Sequence, residues 1–130
     1  MERRLIDPLP VSRDYRKLRV FVLADPLVTT IYRMTNGFPA SERFGLQGQL
    51  RRSSLSVSTN IVEGCARRTM REYVNFLNIA AGSASETRYL AEISERFGFL
   101  PHADASELRS AYTKLCTQLE ALIQSLSHEP

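Results

Sequence analysis

The sequence contains few of the side chains on which enzymes and metal sites depend. Its 130 residues include two histidines, two cysteines and no tryptophan. Neither histidine follows a glutamate by three positions, since Phe99 and Ser125 stand there, so the Glu-x-x-His motif of di-iron bundles is absent. No glycine precedes a lysine, and no G-x-S-x-G or H-E-x-x-H segment occurs, which excludes the usual phosphate-loop, hydrolase and zinc-protease motifs. We predict a protein that is not an enzyme, with no catalytic residue, cofactor or metal.

Long apolar runs are missing as well. Charge-free stretches such as residues 73–85 contain Asn, Gly and Ser, whereas a membrane span needs about 20 apolar residues. Cys65 and Cys116 have no third partner, which fits neither a zinc ribbon nor a disulfide framework. The N-terminus shows no apolar stretch typical of a signal peptide. These absences predict a cytoplasmic protein that does not contact membranes.

What the sequence does contain is helical periodicity. Apolar residues recur at spacings of three and four in four segments, and no segment alternates with period two. We predict an all-α, antiparallel up-and-down four-helix bundle over residues 16–127, preceded by an N-terminal arm over residues 1–15. The apolar positions of the first helix are Leu18, Phe21, Val22, Val28, Ile31, Tyr32 and Thr35.

Capping residues predict the helix boundaries. The first helix ends at Asn36-Gly37, where Gly37 supplies a left-handed cap. Ser41 is the predicted N-cap of the second helix, which ends at Gly64. The third helix opens with the capping box of Thr69 and Glu72, keeps its apolar spacing to Phe97 and ends at Gly98, and Asp104 with Glu107 caps the fourth.

Asp25-Pro26 interrupts the first helical segment and leaves two alternatives. Either one helix from about Tyr15 kinks at Pro26, or Asp25 caps a new helix that has Pro26 at its first position. We favour the kinked helix.

The second helix carries two apolar stripes. Leu46, Leu50, Val57 and Ile61 form the main one, while Leu55 and Val62 lie on another face and predict an oligomer interface. Ser53, Ser54, Ser56 and Ser58 are small enough to cross the small residues 80–85 of the third helix closely. The alternative is a ligand cavity around Gly82.

Two polar pairs lie beside the apolar stripes. Asn60 with Glu63, and Ser83 with Glu86, have the i, i+3 spacing that places both members on one helix face. We favour a structural polar network that fixes the helix register or neutralises an arginine. The alternative is a carboxylate site inside the bundle.

Positive charge is concentrated in the first part of the chain. Residues 1–71 hold 13 basic and 6 acidic residues, against 4 and 8 in the remainder, and 15 of the 17 basic residues are arginine. We expect binding to RNA or DNA backbone through an arginine-rich surface, with Arg13, Arg16, Lys17 and Arg19 as the second location for it. In the alternative, arginines pair with acids of neighbouring subunits in a protein-interaction scaffold. The candidate nucleic-acid-binding residues are Arg51, Arg52, Arg67, Arg68 and Arg71.

An ordered set of short segments resembles a known family. The segments are Ile31-Tyr32 with Thr35, Phe38-Pro39, Glu42, Phe44-Gly45-Leu46, Gln49-Leu50-Arg51-Arg52-Ser53, Asn60-Ile61-Val62-Glu63-Gly64, Phe76-Leu77, Gly82-Ser83 and Glu86. Over about residues 17–100 the chain resembles the four-helix-bundle proteins encoded in intervening sequences of bacterial large-subunit ribosomal RNA genes. Those proteins are similar to the accessory variability determinants of diversity-generating retroelements.

The resemblance implies an oligomer without enzymatic activity. It implies a homopentameric barrel and, for the retroelement relatives, a basic surface that binds nucleic acid and a reverse transcriptase. It points to Arg51 and Arg52 as binding residues and to Asn60, Glu63 and Gly64 as structural positions. Asp25-Pro26 departs from the uninterrupted first helix that the family leads us to expect.

Overall fold

Helices account for most of residues 13–127, the part of the chain that the computed structural model describes. A short 3-10 turn at Tyr15–Lys17 precedes α1 (Arg19–Thr35), and another at Ala40–Glu42 precedes α2 (Leu46–Cys65). Two longer helices follow, α3 (Met70–Arg96) and α4 (His102–Ser127). Between residues 13 and 127 there is no strand. The prediction of an all-α chain with four helices is confirmed.

The helices pack in chain order around one core. α2 lies between α1 and α3, and α4 packs on α3 and closes back onto α1. Burial of the apolar stripes predicted for α2 and α4 drives this arrangement, because the side chains of each stripe are removed from water only when the helices pack against one another. The largest core side chains are Ile31, Leu50, Val57, Ile61, Tyr73, Leu77, Leu108, Tyr112, Leu115 and Leu119.

Both ends of α3 agree with the sequence. The hydroxyl of Thr69 accepts a hydrogen bond from the backbone N–H of Glu72 at 3.1 Å, as the capping box predicts. Gly98 ends the helix with a φ of 80°, a left-handed conformation that glycine adopts without steric cost.

α1 is one helix that contains Pro26. The alternative in which Asp25 caps a new helix is therefore wrong. The helix begins at Arg19 rather than near Tyr15, because the chain at Leu18 is extended. Proline lacks an N–H group, so the Val22 carbonyl does not receive the helical hydrogen bond that residue 26 would otherwise donate. Val22 lies at the exposed surface of the helix.

Three predicted caps are wrong. α2 begins at Leu46, where the backbone N–H donates to the Glu42 carboxylate at 2.9 Å, so Glu42 and not Ser41 satisfies the helix start. α4 begins at His102, two residues before Asp104, which lies within its first turn. Gly37 has no positive φ, because the chain leaves α1 through a tight turn in which Phe38 N–H donates to the Thr35 carbonyl.

Some apolar residues predicted to face the core lie at the surface. Val22 is 57% exposed, Tyr32 is 37% exposed and Phe97 is 62% exposed. Val20 and Ala24 take the buried places on α1 instead. An apolar residue one position from the buried stripe matches helical spacing almost as well as a true core residue, which explains the error.

The close crossing of α2 and α3 is confirmed. The Ser56 and Ser83 hydroxyls lie 2.8 Å apart, and the Thr87 hydroxyl donates to that of Ser53 at 2.7 Å. Gly64 adds to this contact, because a Cβ atom there would lie 3.1 Å from the Phe76 Cβ. The hairpin of α2 and α3 is thus held closely together by small side chains.

None of the described helices is long and apolar enough to cross a membrane. The arm predicted over residues 1–15 lies mostly outside the described residues, and its last residue, Tyr15, opens the first 3-10 turn. The Tyr15 ring meets Phe21 of α1 edge to face, with the centroids 4.8 Å apart.

We predict that Gly48→Ala destabilises the protein. A Cβ atom at position 48 would lie 2.7 Å from the backbone carbonyl oxygen of Arg43, and backbone cannot move aside as a flexible side chain can. We expect the free energy of unfolding to fall by about 1–2 kcal/mol, the cost of a small steric overlap, as measured by urea denaturation. Gly37→Ala is the matched control, because position 37 has open space around it; equal losses in both variants would contradict the steric explanation.

Candidate nucleic-acid interface

The structure brings two separate basic segments together at one end of the bundle. Arg13 lies over the ring of Tyr73 in the first turn of α3, with its Cζ atom 4.4 Å from the ring centroid. A cleft of about 300 Å³ lies between this segment and the end of α2 and is lined by Arg13, Tyr15, Val62, Cys65 and Ala66. The N-terminal segment is therefore adjacent to the α2–α3 turn.

We call this region the basic end. Residues 13–19 and 63–72 together hold seven basic and three acidic residues. Arg68 and Arg71 are exposed and form no ion pair within residues 13–127. Unpaired arginines at a surface attract phosphate groups, to which a guanidinium can donate two parallel hydrogen bonds. The basic end consists of Arg13, Arg16, Lys17, Arg19, Arg67, Arg68 and Arg71.

The guanidinium of Arg51, a predicted binding residue, is already hydrogen-bonded within the chain. Its Nε donates to the Thr35 hydroxyl at 2.9 Å, and its Nη2 donates to the Tyr32 carbonyl at 3.2 Å and to the Asn36 side chain at 3.0 Å. The guanidinium also lies over the Tyr32 ring at 4.5 Å. A cation with these contacts caps the C-terminus of α1, where carbonyl groups lack helical partners. These contacts give Arg51 a structural role.

Arg52 lies next to Arg51 in sequence but points to solvent. Cys65 lies 13 positions further along α2, a distance of about 20 Å at the helical rise. The structure therefore does not bring Arg51 and Arg52 together with Arg67, Arg68 and Arg71.

The predicted polar network forms only in part. Asn60 donates to the Ser56 hydroxyl at 3.0 Å, and Ser56 contacts Ser83, so Asn60 and Ser83 belong to one chain of hydrogen bonds. Glu63 and Glu86 are exposed, and their side chains form no hydrogen bond within residues 13–127. The carboxylate site inside the bundle is therefore not formed.

Sequence reasoning named Ser56 at the close crossing of α2 and α3 but did not include Ser56 or Thr87 in the polar network. Their signal was present, because Ser53 and Ser56, and likewise Ser83 and Thr87, have the helical spacing that places both members of each pair on one face. Gly64 lies beside this network and contacts α3.

The second apolar stripe of α2 is divided by the N-terminal segment. Leu55 is 40% exposed, whereas Val62 is half-buried beside Arg13 and Tyr15. Ile79 and Tyr89 on α3 are 51% and 57% exposed. Gly82 lies on the outer surface of α3, and among residues 13–127 no atom lies within 4 Å of a Cβ placed there, so packing within these residues does not require a glycine at this position.

The buried thiol and phenol at the basic end are poor nucleophiles. Burial raises the pKa of Tyr73 to about 12 and also raises the pKa of the neighbouring Cys65 thiol. Both groups are therefore protonated at neutral pH. Elsewhere, His102 contacts Glu95 at 2.6 Å, and residues 13–127 contain no group of three side chains placed to ligate a metal.

The fold and the surface together define a class: an all-α bundle of four helices with an arginine-rich end. The model of the 23S rRNA-intervening sequence protein family matches residues 16–121. The chain belongs to this family. The similarity to retroelement proteins, expected from the sequence, stays a prediction.

A solved structure shows the same fold. A protein of unknown function from the S23 ribosomal protein family of Bacteroides thetaiotaomicron is 23% identical to this chain. The match covers 81% of this chain and 95% of that one, with a TM-score of 0.75. No curated protein matches the chain.

We predict that Arg51→Gln destabilises the protein while Arg52→Gln does not. Glutamine is too short to replace the three hydrogen bonds of the guanidinium, so we expect a loss of about 1–2 kcal/mol in the free energy of unfolding. Arg52 is exposed, and its replacement should change that free energy by less than about 0.5 kcal/mol. Urea denaturation of both variants measures the difference. Similar values for the two would contradict the capping role of Arg51.

Proposed function

We propose that the protein is a non-catalytic bundle that binds the phosphate backbone of nucleic acid through its basic end. One observation carries the proposal: Arg13 packs on Tyr73 at 4.4 Å, which adds the basic residues of the N-terminal segment to those of the α2–α3 turn. From the sequence, these two clusters are alternative locations for the binding surface. In the fold they are neighbours. Arg51 is left out because three of its five N–H donors are used at the end of α1, and Arg52 because it lies about 20 Å along α2 from this end.

RNA is the first ligand to test, because the family description names a ribosomal RNA. Recognition through phosphate contacts carries little sequence information. Each phosphate that is neutralised releases counterions, so the affinity falls steeply with salt. Four such contacts lower the affinity by about 100-fold between 50 and 200 mM salt.

We predict that Arg68→Gln/Arg71→Gln weakens binding of labelled RNA by at least about tenfold and lowers the slope of the salt dependence by about 1.8, the value for two lost phosphate contacts. Fluorescence anisotropy at several salt concentrations measures both quantities.

The matched control is Arg33→Gln/Arg43→Gln. It makes the same change in net charge with two exposed arginines near the α1–α2 connection, away from the basic end. We expect it to retain binding within about threefold, since screening weakens charges beyond about 10 Å. Equal weakening in both double variants would show that net charge, and not the basic end, determines binding.

We also propose that the chain assembles into a homo-oligomer through the outer face of α2 and α3. Leu55, Ile79 and Tyr89 are exposed apolar side chains on these helices, and Gly82 offers a place where another backbone can approach closely. Glycine in an exposed helix costs about 1 kcal/mol relative to alanine, which a close contact between subunits offsets. An oligomer carries one copy of the basic end for each subunit. The number of five subunits comes from the resemblance alone.

We predict that Ile79→Glu dissociates the oligomer, because a buried carboxylate without a partner is strongly unfavourable in an interface. Light scattering should report a mass near the 14.7 kDa of one chain, against about 74 kDa for five chains in the unchanged protein. Val22→Glu is the control, since Val22 is similarly exposed, at 57%, but lies on α1. A monomeric unchanged protein, or loss of assembly in both variants, would contradict this interface.

The second candidate function is a protein-interaction scaffold without nucleic-acid binding. Arg52, Glu63 and Glu86 are exposed and form no ion pair within the described residues, so they are available to pair between copies. This function predicts no RNA binding even at about 50 mM salt, together with a smaller particle for Arg52→Gln. Co-purification with a reverse transcriptase would test the protein partner that the resemblance implies.

A further inference from the structure

The arginines of the basic end differ in how firmly they are held. Arg68, Arg71 and Arg16 are exposed, whereas Arg13 and Arg67 are half-buried. Arg67 lies over the ring of Phe76, with its Cζ atom 5.3 Å from the ring centroid. Its Nε also donates to the Glu63 carbonyl at 3.2 Å. Two contacts of different kinds therefore fix one guanidinium at the α2–α3 turn.

The terminal nitrogens of Arg67 stay available. A guanidinium has five N–H donors, and only the Nε–H of Arg67 is used within residues 13–127. Stacking on a ring occupies the face of the guanidinium and leaves its edge, which carries the N–H groups, free to donate. A cleft of about 380 Å³ beside it is lined by Ala66, Arg67, Arg68 and Glu72, so a phosphate-sized group can reach this edge.

We propose that Arg67 is a pre-organised phosphate anchor of the basic end and that Phe76 is the residue that positions it. This inference rests on the proposed nucleic-acid binding and names the part of the site that holds a backbone phosphate most firmly. A free arginine loses side-chain freedom when it binds, and an arginine that is already ordered avoids most of that loss. Phe76 thus strengthens binding without touching the nucleic acid.

The ligand is the phosphate backbone and not the bases, because the aromatic rings at this end are already covered. Tyr73 is fully buried beneath Arg13, Tyr15 packs on Phe21, and Phe76 lies beneath Arg67. Base-specific binding of single strands uses exposed rings on which bases stack. An RNA duplex fits this surface, because its bases are already stacked on one another and need no exposed ring. The high charge density of its backbone suits the arginines.

The test uses variants that keep the net charge unchanged. Phe76→Leu removes the ring and keeps an apolar side chain, while Arg67→Lys keeps the charge but loses the planar group that stacks. Each should weaken binding of a labelled RNA duplex by about fivefold, which is the range expected when one long side chain must be ordered on binding. The salt slope should stay the same, because the number of phosphate contacts does not change.

Two variants serve as matched controls. Tyr32→Leu removes from α1 the ring that lies beneath Arg51, and Arg43→Lys changes an exposed arginine away from the basic end. Both should bind within about twofold of the unchanged protein, a difference too small for an ordering cost. Thermal melts followed by circular dichroism ensure that all four variants are compared in the folded state.

Each outcome decides the inference. If the unchanged protein binds RNA and Arg67→Lys and Phe76→Leu bind equally well, the anchor is wrong and the proposed function stands. If Arg67→Lys weakens binding and Phe76→Leu does not, the effect belongs to the loss of the guanidinium itself and the role of Phe76 is overturned. If the unchanged protein binds no RNA at about 50 mM salt, the salt range in which backbone contacts are strong, both the proposed function and this inference fail.

Discussion

The close crossing of α2 and α3 determines where the rest of the protein lies. Ser56 and Ser83 meet at 2.8 Å, a contact that larger side chains would not permit. Only four residues connect the two helices, from Ala66 to Thr69, so the close crossing leaves the connection little freedom. Arg67 and Arg68 lie within this short turn and therefore project from the end of the bundle. The position of the basic residues follows from helix packing and not from any property of the arginines themselves.

A second consequence of packing is that α1 returns the N-terminal segment to the same end. Arg51 of α2 caps the C-terminus of α1 through Thr35, Tyr32 and Asn36, which fixes the two helices at the end opposite the α2–α3 turn. Because α1 packs along α2, its first residues lie near the last residues of α2. Arg13 therefore reaches the ring of Tyr73, 60 residues later in the chain. Two clusters that are separate in sequence become one surface.

The sequence predicts elements whose signals are local, and it fails where the deciding partner is distant. Thr69 and Glu72 lie three residues apart, so the start of α3 is predictable. The same holds for the burial of Leu108 and Leu115, which follows from spacing within α4. Glu42 replaces Ser41 as a cap because the chain first makes a 3-10 turn, and nothing in the local pattern indicates that turn. The adjacency of the two basic clusters also requires knowledge of which helices pack together.

Arg51 and Arg67 show why residue type alone does not identify an arginine whose donors are free for a ligand. Both lie over an aromatic ring, Tyr32 and Phe76 respectively. Arg51 meets three acceptors at the end of α1, so only the two N–H donors of its Nη1 remain for an incoming phosphate. Arg67 meets a single backbone carbonyl through its Nε, so the same phosphate would add bonds to those already present. The difference arises at the C-terminus of α1, where the Tyr32 carbonyl, the Thr35 hydroxyl and the Asn36 side chain take up three of the five N–H donors of Arg51. The number of donors that a held guanidinium keeps free, more than its exposure or charge, therefore separates an arginine that is available to a ligand from one that supports the fold.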